Sequence, residues 1–171
     1  MKISSQEEYG LRCLLRLAQA EDDQAMTIPE IAASEGISAP YVAKILSVLR
    51  QSGMIDSVRG RSGGYRLALP PGEIRLGAVL LVLGEPLYDD PGYCIKHHGT
   101  ELDGDCVHAG GCSLRALWQT LELWMRGALD RVTLADFLQS EDRITDLLRS
   151  RLAEAVLEPE TSLITLTPLG K

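Results

Sequence analysis

Apolar residues recur through the first third of the chain at the three- and four-residue spacing of a helix face, and then switch to alternation. Tyr9, Leu11, Leu14, Leu15, Leu17 and Ala18 make a broad stripe that predicts a helix starting at Ser4 or Ser5. Ser5-Gln6-Glu7-Glu8 fits a capping box in which Glu8 reaches back to the cap, and the acidic run at 21–23 ends the element. Thr27-Ile28-Pro29-Glu30 opens a second helix, with threonine as cap and proline at an early helical position. Gly36 supplies a turn. Ser38 caps a third helix, whose Val42, Ile45, Leu46 and Leu49 face inward and which Gly53 stops. Residues 54–60 and 63–69 then alternate around Arg59-Gly60-Arg61-Ser62-Gly63-Gly64, which predicts a β-hairpin with a glycine-rich tip.

The pattern dissolves between residues 86 and 112, where Pro91, Gly92, Gly99, Gly104, Gly110 and Gly111 predict an irregular loop. It returns from Ser113 to Arg131: Leu114, Leu117, Leu121, Trp124 and Ala128 form a stripe that Trp118, Met125 and Val132 broaden. Thr133 begins a short helix. Ser140 caps a further one bearing Ile144, Leu147, Leu148, Leu152, Ala155 and Val156, followed by Pro159 and a β-prone SLITLT. The expected fold is mainly α with a small β-wing. It comprises a winged helix-turn-helix domain (1–85), a cysteine-rich loop (86–112), a dimerisation helix (113–138) and a C-terminal helix and tail without an assigned role (139–171). Because helix-turn-helix units work in pairs, the long stripe is expected to pack antiparallel against a twin.

An apolar fraction of 45% with 24% charged residues excludes global disorder. The start of the chain lacks a signal pattern, and its longest apolar stretch, Leu76 to Leu83, is far short of the ~18–20 residues of a membrane span, so a cytoplasmic protein is expected. A formal charge of −7 argues at first against a nucleic-acid partner, but its distribution reverses that argument. Between Ser38 and Arg66 stand Lys44, Arg50, Arg59, Arg61 and Arg66 against a single acid, Asp56. A basic segment on an acidic body is an electrostatic footprint for double-stranded DNA. The third helix is expected to enter the major groove, with Ser38, Pro40, Tyr41 and Lys44 as contact residues; Tyr41 could equally pack on the second helix. Arg59 and Arg61 at the hairpin tip are expected to touch phosphate or the minor groove, while Arg50 and Arg66 suit surface or ion-pair positions.

Cys94, Cys106 and Cys112 are separated by eleven and five intervening residues in the irregular segment, beside His97, His98 and His108. A reducing compartment argues against disulfides there, and thiolates suit an iron–sulfur cluster or zinc. Three thiolates are one ligand short, which leaves the histidines as candidates on spacing alone. Cys13, on an apolar helix face, is expected to be a core thiol. Two functional classes retain the DNA-binding head: one uses a cluster as sensor, the other a thiol redox switch or zinc site. An enzyme is not expected, because all three histidines fall within this segment and no nucleophile elbow or phosphate loop is present.

EYGLRCLLRLA, IPEIAASEGISAPYVAKILSVLRQSGMIDSVRGRSGGYRLA and the cysteine segment together resemble the Rrf2 family of bacterial regulators, over roughly residues 1–138. The resemblance implies a homodimeric winged-helix transcriptional regulator that often carries an iron–sulfur cluster responding to nitric oxide, redox state or iron supply. Its nitric-oxide-sensing members place a carboxylate immediately before the Tyr-Gly-Leu-Arg motif of the first helix, donated across the dimer. Glu8 stands in that place. Its iron–sulfur-assembly members use a histidine three residues past the last cysteine, where this chain has Arg115. The resemblance therefore implies Cys94, Cys106, Cys112 and Glu8 of the partner subunit as ligands of a 4Fe–4S or 2Fe–2S cluster. The eleven-residue first gap is longer than the family's short spacing.

Overall fold

Three helices and a hairpin form the head. They are seen in a computed structural model that describes residues 3–20, 24–60, 63–89, 92–97, 106, 108 and 111–157. Helices α1 (Ser5–Ala18), α2 (Ile28–Glu35) and α3 (Ala39–Gln51) enclose a core in which Cys13, Leu14, Ile31, Val42, Ile45, Leu46 and Leu49 are all 0% exposed. The first cap differs from expectation. Ser4, not Ser5, caps α1: its hydroxyl accepts from the Glu7 amide at 3.2 Å, and its own amide donates to the Glu7 carboxylate at 2.7 Å. Both serines have glutamate three residues on, so the local pattern does not choose between them. The outcome releases Glu8 from any capping role. Thr27 and Glu30 form the expected box on α2, and Gly36 adopts the left-handed conformation (φ 66°) that ends it.

Strands β1 (Ile55–Val58) and β2 (Gly64–Leu67) pair antiparallel, Ile55 opposite Leu67 and Val58 opposite Gly64. Met26 adds a bridge on the far side of β2, its amide and carbonyl bonding those of Tyr65 at 2.9 and 2.8 Å. A Cβ at Gly64 would meet the Met26 carbonyl oxygen at 2.5 Å, so the hairpin docks here only with glycine.

The apolar stretch becomes α4 (Leu76–Leu83), an element the sequence pattern left unassigned because a short continuous apolar run fits strand and helix alike. Its end meets the start of α1: the Gln6 side-chain amide donates to the Leu83 carbonyl at 2.8 Å, and the Gly10 backbone lies directly on the Leu83 side chain. The expected irregular loop is corrected at one place, where Gly92–His97 forms a short helix, α5. Tyr93 stacks on His97 one turn along and meets Tyr88 at a tilt, with centroids 4.5 and 5.4 Å apart.

Helix α6 (Ser113–Leu129) leads to a 3₁₀ turn (Leu134–Leu138) capped by Thr133 and Asp136, and then to α7 (Glu141–Leu157). The Leu76 amide bonds the Val132 carbonyl and the Leu134 amide the Ile74 carbonyl, each at 2.8 Å, which fastens the end of α6 to the head. Arg151 of α7 pairs with Asp136 at 3.4 Å and donates to the Arg131 carbonyl. Pro159 and the SLITLT segment lie outside the described residues. The long stripe divides: Ala128 and Val132 are buried in their own chain, whereas Leu114 (58% exposed) and Trp124 (46%) are not. No helix among the described residues is long and apolar enough to cross a membrane.

Candidate nucleic-acid interface and cysteine segment

The start of α3 presents Ser38, Pro40 and Lys44 to solvent. Ser38 has the extended backbone of a cap, yet its hydroxyl makes no cap bond and stays available to an outside acceptor or donor. Tyr41 is half-buried, packed against the core and edge-on to Tyr9 of α1, with ring centroids 5.8 Å apart. Arg59 is exposed where the hairpin tip begins, Gly60 takes φ 115°, and the Gly63 amide closes the tip on the Gly60 carbonyl at 3.0 Å. Arg61 lies outside the described residues. Arg50 and Arg66 are exposed, the latter opposite Asp56 in the ladder. Sequence reasoning missed Arg12, whose Nε meets the Glu35 carboxylate at 3.0 Å and whose Nη2 donates to the Glu35 carbonyl at 2.6 Å. No local spacing announces this pair, because its partners lie 23 residues apart on two helices.

All four cysteines are free thiols. Cys13 is sealed in the core; burial, with Glu35 adding and Arg12 opposing, pushes its pKa from 9.0 up to about 11. The other three are half-buried: Cys94 on α5, Cys106 between the two helices, and Cys112 at the cap of α6, where its sulfur accepts from the Arg115 amide at 3.3 Å. Among the described residues, no group of three His, Cys, Asp or Glu side chains lies close enough to hold a metal ion. The expected ligands are therefore not brought to one point. Their chemistry nonetheless suits a thiophilic group, since all three are free of disulfides and half-buried.

Glu8 is exposed, and its carboxylate bonds no described residue. Among the histidines, His97 is tied back, with Nδ1 2.8 Å from the Tyr93 carbonyl and its ring stacked on Tyr93; His108 is exposed, and His98 lies outside the described residues. A further residue the sequence reading passed over is Glu122. It is buried on α6, where it accepts from the Leu87 amide at 2.9 Å and from Arg126 at 2.6 Å, and so anchors the approach to α5. A lone acid inside an apolar stripe was its signal.

The model of the Rrf2 family, described as iron-dependent transcriptional regulators, matches residues 3–140. The chain belongs to the Rrf2 family. Among the relatives of this Rrf2 protein is the HTH-type transcriptional regulator NsrR of Geobacillus kaustophilus, 39% identical over 152 residues that span 88% of this chain and 99% of the relative. Solved structures similar to it include IscR of T. potens, at 30% identity and a TM-score of 0.62, covering 81% of this chain and 86% of that one. CymR, the global cysteine regulator of B. subtilis, follows at 28% identity and a TM-score of 0.61, covering 80% and 95%. The Rrf2 chain is thus a DNA-binding transcriptional regulator with the winged-helix fold, in a family that is not enzymatic.

Proposed function

We propose that this Rrf2 regulator is a cytoplasmic homodimer that binds a pseudo-palindromic DNA operator. An iron–sulfur cluster controls its affinity, held by Cys94, Cys106 and Cys112 with Glu8 of the partner subunit. The observation that carries the reading is the pairing of three free, half-buried thiols with a glutamate that the Ser4–Glu7 cap leaves unengaged. Bound there, the cluster supplies an iron whose carboxylate ligand is harder and more readily exchanged than thiolate, the opening for nitric oxide, oxidant or iron shortage. The remaining work belongs to the chain. Ser38, Pro40, Tyr41 and Lys44 meet the major groove, and Arg59 with Arg61 meets the backbone or minor groove. The exposed part of the α6 stripe faces a second copy, and half-sites about 34 Å apart, or a multiple of that, suit such a two-fold pair.

Anaerobic purification with iron, sulfide and zinc analysis tests this directly. Matched iron and sulfide are expected. Protein that holds neither, even after reconstitution, would overturn the cluster and favour the second reading, in which the same cysteines form a zinc site or a thiol redox switch.

A further inference from the structure

Between the end of α6 and the 3₁₀ turn, the chain is woven into the head. Val132 and Leu134 are buried, and their backbone groups bond those of Leu76 and Ile74 on either side of a bridge between Thr133 and Arg75. The Arg75 guanidinium donates to the Asp130 carbonyl at 2.7 Å, and the Ala135 amide to the Pro71 carbonyl at 3.1 Å. The Asp130 carboxylate lies on Gly77 of α4 and leaves no room for a Cβ there. Residues 130–135 are therefore a joint between α6 and the head. Arg151 closes this joint from outside. Its guanidinium donates to the Arg131 carbonyl at one end and reaches the Asp136 carboxylate at the other, at 3.4 and 3.5 Å. Asp136 is buried and also accepts from the Thr133 amide and hydroxyl, at 2.8 and 2.9 Å, so the staple extends into the cap of the turn.

Arg151 belongs to α7, which packs on α6 and lies beyond the residues that the family model matches. A planar guanidinium spans two acceptors held at a fixed separation, which a single amide cannot do. Hinges bend where a few residues at the end of an element absorb the change in backbone angle, and a fork that grips both ends of such a segment removes that freedom. We infer that Arg151 is a positioning residue for DNA binding: it locks the joint so that the head keeps one angle to α6. In a pair built on α6, that angle sets the distance between the two recognition helices. The inference rests on the homodimer and two-half-site operator proposed above, and it does not involve the cysteines. Inserting one base pair between half-sites moves one of them by about 3.4 Å and turns it by about a tenth of a helical turn. A stiff joint therefore selects one spacing, and a loose joint accepts several.

The test uses the full chain and a duplex that the wild-type protein selects from a random-sequence pool. Dissociation constants are measured for that duplex, for versions with one base pair added or removed at its centre, and for a version with one half-site scrambled. The wild type is expected to prefer the selected spacing by about 10-fold or more, the scale of one mismatched base pair. Arg151→Met brings that ratio toward one, while its affinity for the single half-site and its sedimentation as a dimer match the wild type. A head that had merely lost stability would bind the single half-site more weakly, so the ratio isolates positioning from folding. A wild-type ratio in Arg151→Met overturns the strap and leaves the dimer reading standing. A monomeric Arg151→Met also overturns it, by making α7 part of the association surface. A wild-type protein that sediments as a monomer, or binds every spacing alike, overturns the two-half-site reading and the strap with it. Should Arg151→Met fail to fold, Arg151→Gln, which keeps a donor without the fork, decides by the same ratio.

Discussion

Glu7 and Glu8 are adjacent and chemically identical, yet the structure gives them opposite duties. Glu7 closes the cap of α1 and lies against Gly84, whereas Glu8 is exposed and unbonded. Glu7→Ala should cost about 1 kcal/mol of stability in denaturant unfolding and leave bound iron unchanged. Glu8→Ala should leave the unfolding midpoint in place and strip or loosen the iron; a variant that keeps the wild-type iron content and spectrum removes Glu8 from the ligand set. Cys13 shows the same dependence on surroundings. Its thiol is held neutral in the fold, with a pKa of about 11 against an ordinary 9.0, so its contribution to stability is whole below pH 9 and is lost as pH rises through 11. Denaturant unfolding at pH 8 and pH 10.5 should therefore show an alkaline loss, on the order of 2 kcal/mol, that Cys13→Ala lacks. The role of Cys13 was legible from its place in an apolar stripe. The split between Glu7 and Glu8 was not, because which of two consecutive serines caps a helix is decided by how the whole helix docks.

At the scale of elements, legibility followed the sharpness of the local signal. Helices α1 to α3 and the wing each carry a periodic face closed by a cap, a left-handed glycine or a hairpin tip, and all four formed as expected. Helix α4 has no polar face to give it a period, and α5 is a six-residue turn of helix in a glycine-punctuated stretch, with Tyr93 and His97 stacked on one side. The geometry of the cysteines was the least legible part, since spacing reports donor chemistry and says nothing of where the backbone sets each sulfur. The wing itself hangs on one glycine. Gly64→Ala should push the hairpin off Met26, costing about 1–3 kcal/mol. Its binding to a selected duplex should weaken as well. Arg59→Ala, by contrast, should keep stability and lower the slope of log affinity against log salt by about one counterion. A slope equal to that of the wild type would take Arg59 off the DNA.

On the scale of the whole molecule, a head carrying local positive charge sits on a body whose overall balance is −7, so DNA approaches one face and is repelled elsewhere. Among the described residues, α6 from Leu114 to Trp124 exposes a run of large apolar side chains: Leu114, Leu117, Leu121, Leu123 and Trp124. Leu121→Glu and Trp124→Glu should leave a folded monomer in sedimentation velocity and abolish tight binding to a two-half-site duplex, because neither side chain supports the head. An unchanged dimer would move the interface elsewhere. The sulfur that caps α6 gains a wider meaning in that setting. Cys112 accepts a bond in the first turn of the very helix whose next apolar residues, Leu114 and Leu117, are exposed. Were this face the dimer interface proposed above, a group bound at the sulfur would compete for the bond that caps the turn, and its binding would be linked to association in both directions. On that proposed dimer the reactivity of a single atom would depend on protein concentration, which labelling of the Cys112 thiol at two concentrations would measure.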